Sequence, residues 1–309
     1  MADPSSLARA EPADLASPAR ARPAPGDFRA FDRLRVRWSE IDAQKIVFNG
    51  HYLTYFDTAV SAYWRALAVP YAETMARLGG DLYVRKATLD YLASARLDDR
   101  LDVGMRCLRI GTSSLTYGAA AFRRGEPLVT AELVYVFADP ATQRPKPVPQ
   151  ALREAIESFE AGEPAVTVET GGWAKLGEEA GALRTAVFVE EQKVPLDMEW
   201  DEADAEPSTV HAVARNGLGH AVATGRLLAY APGTARIGRM AVASGLRGEG
   251  IGRQVLDALL EVARRRGDRE AVLHAQCSAE AFYRRAGFAP RGEVFEEAGI
   301  AHVEMARAP

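Results

Sequence analysis

The stretch SGLRGEGIGRQVLDALLEVARRRG, residues 244–267, decides how the C-terminal half of the chain is read. Gly248, Gly250 and Gly252 leave backbone N–H groups unobstructed where a helix begins, and Arg247 stands beside them. The first N–H groups of a helix lack an intrahelical partner and carry the positive end of its dipole, worth roughly 0.3–2 kcal/mol per anionic contact, so Arg247, Gly248, Gly250, Ile251 and Gly252 form a candidate pyrophosphate seat. The helix that follows has one apolar face (Ile251, Val255, Leu256, Leu259, Leu260). Arg264–Arg266 favour its negative end, and Gly267 closes it. No Gly-Lys-Ser/Thr is present and the glycine spacing is not GxGxxG, which excludes a P-loop and a dinucleotide fingerprint. Read alone, the hexapeptide is equally a glycine turn with a solvated arginine.

Working outward, VTVET (166–170), VHAVAR (210–215), HAVATGRLLAY (220–230), ARIGRMAVA (235–243) and AVLHAQ (271–276) have strand composition, and residues 293–307 look like a closing hairpin. WAKLGEEAGALRTAVFVEEQ (173–192) predicts one helix, and SAEAFYRRAG (278–287) a short one. RGEGIG before a helix, with Phe282-Tyr283 and Gly287-Phe288 after the next strand, resembles the GNAT N-acetyltransferases over residues 163–309. LRTAVFVEEQ with Pro195, GRMAV, Ala275-Gln276 and EVFEEAGIAH make the likeness closest to the ElaA-type branch. The resemblance implies an α/β domain, a mixed sheet flanked by helices, that uses acetyl-CoA or acyl-CoA as co-substrate. By it, residues 247–252 hold the CoA pyrophosphate, the backbone at Met240, Ala241 and Val242 pairs with pantetheine, Tyr283 meets the departing sulfur, and Glu297 and His302 line the amine-acceptor cleft. Glu191, His274, Glu297 and His302 are the candidate bases. The acidic loop EWDEADAE (199–206) could attract an amine, although a charge run is usually a solvated face.

The N-terminal half has a different pattern. From Phe31, Leu34, Val36 and Trp38 alternate with Arg33, Arg35 and Arg37, which predicts a half-buried strand ending near Asp42. A long apolar helix follows over residues 51–69, carried by Leu53, Phe56, Val60, Tyr63, Trp64 and Leu67 and stopped at Pro70. Four strands come next (82–92, 101–110, 114–122, 128–137), then a closing helix in PVPQALREAIESF. This is an α+β domain in which an antiparallel sheet wraps around a central helix. An aspartate ahead of a helix is commonly a turn or cap residue. It is also a group that can attack, or activate water against, a carbonyl whose oxygen is held by helix N–H groups.

RWSEIDAQKIVFNGHYLTYFDTA (37–59), VRKATLDYLASARLDDRLDV (84–103) and ELVYVFADPATQRPKPVP (132–149) resemble the hotdog-fold acyl-CoA thioesterases of the 4-hydroxybenzoyl-CoA type over residues 31–160. That likeness makes Asp42 the nucleophile or general base, with the backbone near Gly50–Tyr52 polarising the thioester and Asn49 and His51 bordering the site. It also implies a homo-oligomer, since hotdog sites form between subunits. Family members carry a glycine just before the apolar pair that is Ile46-Val47 here; this chain has Gln44-Lys45.

Length and composition agree with two globular units: 309 residues, 48% hydrophobic and 26% charged. Residues 1–30, rich in Ala, Pro and Arg, read as a flexible tail, followed by domains at 31–160 and 163–309. No run of about 18 apolar residues occurs, and Cys107 and Cys277 form no metal-binding pattern. The formal net charge of −4 gives no pull toward nucleic acid. The expectations are therefore a cytoplasmic, bifunctional enzyme acting on small acyl-CoA thioesters and an amine, without metal, nucleic acid or membrane. The alternative is that one domain is a non-catalytic acyl-CoA sensor or an oligomerisation platform for the other.

Overall fold

The computed structural model describes residues 22–309. Its strands fall into two sheets. The first is antiparallel, in the order β1-β3-β4-β5-β2, and consists of β1 (Ala30–Arg35), β2 (Asp81–Tyr91), β3 (Arg100–Ile110), β4 (Ser114–Arg123) and β5 (Glu126–Ala138). Helices α1 (His51–Ala66) and α2 (Tyr71–Leu78) lie between β1 and β2 in sequence, and α3 (Gln150–Glu160) follows β5. The apolar positions of α1 recur every three to four residues, so Tyr52, Tyr55, Phe56, Ala59, Val60, Tyr63 and Trp64 are buried against the sheet. Leu133, Tyr135 and Phe137 of β5 reach the same core by strict alternation. Burying each of these large side chains is worth about 1.5–3 kcal/mol.

Three expectations change here. β1 ends at Arg35, and Trp38–Glu40 form a 3-10 turn that breaks the alternation and leaves Trp38 81% exposed. Leu53 faces outward on α1 with Thr54, Asp57, Thr58 and Ser61, so the helix keeps one uncovered side. Pro70 stops α1 but also begins α2, which ends on Gly79 in the left-handed region. The expected tail falls mostly in residues 1–21, outside the described residues. Packed chain begins ahead of Phe31: Phe28 is buried against Ala120 and Phe122, so close to β3 that a Cβ at Gly104 would lie 2.7 Å from its ring.

The second sheet runs β11-β12-β10-β9-β8-β7-β6, from β6 (Val166–Gly171), β7 (Val210–Asn216), β8 (Ala221–Ala231), β9 (Thr234–Val242), β10 (Glu270–Gln276), β11 (Ala289–Glu297) and β12 (Ile300–Arg307). It is mixed, since β9 and β10 are parallel and the other pairs antiparallel. Around it lie α4 (Trp173–Arg184), α5 (Leu196–Glu199), α6 (Ile251–Arg266) and α7 (Glu280–Arg285). The helix expected over 173–192 is α-helical only to Arg184 and continues as a π-helical stretch, Thr185–Glu191. Such stretches widen a helix and occur frequently at functional sites.

The two sheets meet at the end of α1. Ala68, at φ 57°, is buried within the second sheet's core, and its carbonyl accepts a hydrogen bond from Asn216 Nδ2 at 2.9 Å. Arg65 of α1 lies 3.4 Å from Glu249, inside the glycine turn. Among the described residues no helix is long and apolar enough to cross a membrane, and no cluster of three or more His, Cys, Asp or Glu is placed to hold a metal ion.

Candidate active sites

β9 and β10 pair only from Thr234–Arg236 to Glu270–Val272 and then diverge. β9 also carries one extra residue opposite β8 between Thr224 and Arg226, a bulge in which Arg239 takes a φ of 53°. The result is a cleft of about 1080 Å³ whose wall includes Met240, Ala241 and Val242 of β9, the turn residues Arg247, Gly248, Gly250, Ile251 and Gly252, and Tyr283, Glu297 and His302. Past Arg236, β9 has lost its β10 neighbour, so its backbone polar groups on that side are open to a ligand.

At the glycine turn Gly248 (φ 92°) and Gly250 (φ 80°) are left-handed, a conformation glycine adopts without steric penalty. The backbone N–H groups of Gly248, Gly250, Ile251 and Gly252 have no acceptor among the described residues. They form a concave donor array at the start of α6, suited to phosphate oxygens. Arg247 is held by both oxygens of Glu191, at 2.5 and 2.7 Å, and by the Val242 carbonyl at 3.2 Å. The Arg247 hydrogen bond holds the Glu191 carboxyl below its usual range.

Tyr283 is buried between Phe282 and Phe288, and burial pushes its hydroxyl up to about 12. It is a neutral donor across the working pH range. The four candidate bases differ in freedom. Glu191 is committed to Arg247. His274 Nδ1 lies 2.9 Å from Arg236 Nη2 and 3.1 Å from Glu297 Oε2. Burial alone would raise Glu297, but the hydrogen bond from His274 and the charges of His274, His302 and Arg236 bring it below the usual carboxylate range. His302 places Nδ1 2.8 Å from the Ile300 carbonyl, so the neutral ring donates there and keeps an acceptor lone pair on Nε2.

Only part of the acidic loop is a solvated face: Glu202 and Glu206 are exposed, whereas Glu199 and Asp204 are buried. Arg184 bonds Glu199 and also Asp204, at 2.7 and 2.9 Å; Arg226 bonds Asp201 and Asp204 at 2.7 and 2.8 Å; and Arg239 lies 3.4 Å from Glu199 and 3.3 Å from Asp201. Burial would raise Asp204, but these guanidinium groups hold it below the usual range. Sequence reading missed the cleft arginines Arg226, Arg236, Arg239, Arg253 and Arg285, because in an arginine-rich chain no spacing distinguishes them.

A smaller cleft of about 650 Å³ lies at the start of α1, lined by Asp42, Gln44, Phe48, Asn49, Tyr52 and Tyr91 among others. Asp42 closes a tight loop: its Oδ1 accepts from Gln44 N at 2.7 Å, its N–H donates to Ile46 O at 2.9 Å, and Ile41 bridges Val47. Its Oδ2 has no partner among the described residues. Lys45, where a glycine was expected, sits at φ 63°, so the turn needs the conformation glycine favours and a lysine supplies it at a cost of about 1–2 kcal/mol.

Of the backbone donors at Gly50–Tyr52, that of His51 is given to Phe48 O at 2.9 Å, whereas those of Gly50 and Tyr52 have no acceptor among the described residues. Gly50 and His51 lie outside the cleft wall, with the His51 ring 6.0 Å from that of Phe48. Asn49 accepts through its carbonyl from the Tyr91 hydroxyl at 3.1 Å, and Tyr52 accepts from Ala95 N at 3.1 Å. A residue that sequence reading passed over fixes this loop. Glu40, 2% exposed, accepts from the Tyr55 hydroxyl at 2.7 Å and from Arg37 N at 2.7 Å, while its carbonyl accepts from Phe48 N at 2.9 Å.

Comparison with known proteins follows the same division. Residues 184–308 match the acetyltransferase (GNAT) domain family and residues 44–130 the thioesterase superfamily. A UPF0039 protein of Schizosaccharomyces pombe is 38% identical over 125 residues, spanning 40% of this chain and 81% of that protein. Protein ElaA of Escherichia coli is 36% identical over 129 residues, spanning 40% of this chain and 82% of that protein. Among solved structures, an acyl-CoA N-acyltransferase from Pseudomonas aeruginosa is 36% identical, covering 46% of this chain and 99% of that one with a TM-score of 0.42. A thioesterase complexed with coenzyme A and Zn from Thermus thermophilus is 27% identical, covering 44% and 96% with a TM-score of 0.39. The chain thus belongs to both families at once, a hotdog domain of the thioesterase superfamily followed by a GNAT acetyltransferase domain of the ElaA type.

Proposed function

We propose that the protein is a bifunctional acyl-CoA enzyme, with units at residues 31–160 and 163–309, that hydrolyses acyl-CoA in the first and transfers an acyl group, acetyl in the simplest case, from CoA to an amine in the second. The observation that carries this reading is the assembly of the β9 backbone, the glycine turn, Tyr283 and His302 around one cleft. In that cleft the turn N–H groups and Arg247 bind the pyrophosphate. The open edge of β9 hydrogen-bonds pantetheine and polarises the thioester carbonyl. An amine gives its proton to His302 Nε2 and attacks the carbonyl carbon; the C–N bond forms, the C–S bond breaks, and CoA leaves toward the Tyr283 hydroxyl. With that hydroxyl near 12 and a free thiol near about 8.5, full proton transfer from tyrosine to thiolate is uphill by roughly 5 kcal/mol, so Tyr283 acts by hydrogen bonding until late in the step.

In the first unit Asp42, as nucleophile or general base, directs attack on the thioester carbonyl. The unpaired Gly50 and Tyr52 N–H groups are the donors available to the oxyanion, and Asn49 borders the bound substrate. The products are a carboxylic acid and free CoA. A second copy of the chain closes this site: Phe48, Tyr91, Leu92 and Leu53 are exposed apolar side chains beside Asp42 or on the open side of α1. The test is an acyl-CoA panel scored for free thiol with and without an amine library, on the full chain and on its Asp42→Ala and Tyr283→Phe variants. Thiol release lost with Asp42→Ala alone, and amine-dependent release lost with Tyr283→Phe alone, are the expected results. Binding without turnover across the panel would instead favour an acyl-CoA sensor.

A further inference from the structure

The acids that line the C-terminal cleft away from the phosphate turn already have basic partners. Glu199 and Asp201 are held by Arg184, Arg226 and Arg239, and Glu297 faces His274 at 3.1 Å. Of the cleft arginines, Arg226, Arg239, Arg247 and Arg253 pair with carboxylates in their turn. Arg236, half-buried on β9, meets no carboxylate directly among the described residues: its Nη2 donates to His274 Nδ1 at 2.9 Å, and its guanidinium lies 5.5 Å from the Tyr230 ring. The same His274 nitrogen faces Glu297 at 3.1 Å, so Arg236 reaches that acid only across the imidazole and has no carboxylate of its own within ion-pair distance among the described residues.

A half-buried guanidinium with no carboxylate within ion-pair distance is well placed for an arriving anion, because a planar carboxylate engages two of its N–H groups at once. A purely cationic amine brings no anion to this guanidinium and meets its field. We propose that the acceptor is a zwitterion, an amine that also carries a carboxylate, and that Arg236 binds the carboxylate while the amine faces His302 and the thioester. Both side chains line the same cleft. The inference rests on the transferase reading above and narrows its substrate class.

The test gives the full chain acetyl-CoA with matched sets of acceptors, namely α-amino acids, their α-amides and the corresponding decarboxylated amines, and measures N-acetyl product by mass spectrometry. The amino acids are expected to show kcat/KM about 10–100-fold above their partners. Arg236→Gln is expected to bring the amino acids down to the level of the decarboxylated amines, mainly through KM, and Arg236→Lys to recover part of the loss. Equal or better turnover of the carboxylate-free amines by the wild type overturns the proposal and leaves the transferase reading standing. A preference that survives in Arg236→Gln overturns the role of that side chain. Absence of N-acetyl product from every amine overturns both readings together.

Discussion

The C-terminal cleft encloses about 1080 Å³ and takes its glycine turn, open strand edge, buried tyrosine and histidine from a single chain. The N-terminal cleft measures about 650 Å³, and its wall includes Phe48, Tyr91 and Leu92, which are 52%, 52% and 40% exposed. In the first, the candidate groups line one cleft shaped by backbone devices: the strand divergence, the bulge at Arg239 and the left-handed glycines. In the second, a buried carboxylate, Glu40, fixes the loop that holds Asp42, but the rim stays apolar and open. On the proposed reading, one copy of the chain completes the transfer site and only part of the hydrolytic one.

Silencing one site at a time is the strongest way to break this comparison. Asp42→Ala is expected to lower thioester hydrolysis by about 10³–10⁴-fold and leave acetyl transfer intact, read as free thiol against N-acetyl product. A matching loss of both activities would mean that one site does all the chemistry. Tyr283→Phe is expected to lower kcat for transfer by about 10²–10³-fold with hydrolysis unchanged. Because the tyrosine must be protonated to donate and its hydroxyl is pushed up to about 12, wild-type transfer should not decline between about pH 8 and 10. A fall in that interval that disappears in the Phe variant would show that the hydroxyl ionises earlier.

Smaller effects sharpen the contrast where the two halves touch. Arg65 offsets Glu249 in the turn assigned to pyrophosphate. Arg65→Ala should therefore raise KM for acetyl-CoA in transfer by about 3–10-fold, most at low salt, and adding Glu249→Gln should restore it. Failure of the second change to rescue the first would confine Arg65 to packing. Lys45→Gly removes left-handed strain at the Asp42 loop while loosening the unfolded chain, so a gain in stability of up to about 1 kcal/mol is expected in thermal or urea unfolding. A loss would mean that the lysine side chain contributes more than its backbone costs.

Much of this was legible in the sequence because the decisive features are local. The apolar face of α6, the glycines that open it and the alternation in β5 each follow from spacing within one element. What stayed hidden depends on partners far apart in the chain. EWDEADAE looks like a charge run for solvent until Arg184, Arg226 and Arg239 are brought in from α4, β8 and β9. Glu40 looks like one more surface acid until the loop folds its side chain against Tyr55. Trp38 and Leu53 fitted the expected periodicities, yet the 3-10 turn exposes one and the uncovered side of α1 the other. For Arg236 no periodicity could help, since its interest lies in the carboxylate it lacks.

The handshake between Ala68 and Asn216 bears on how this polypeptide can be dissected. Severing it between α3 and β6 would strip the Asn216 amide of its acceptor and open the apolar seat around Ala68. An orphaned buried amide alone is worth about 1–3 kcal/mol against folding. A C-terminal fragment that proves sluggish or insoluble would therefore be reporting the wound left by the scissors, and the intact molecule with one catalytic side chain erased is the cleaner witness.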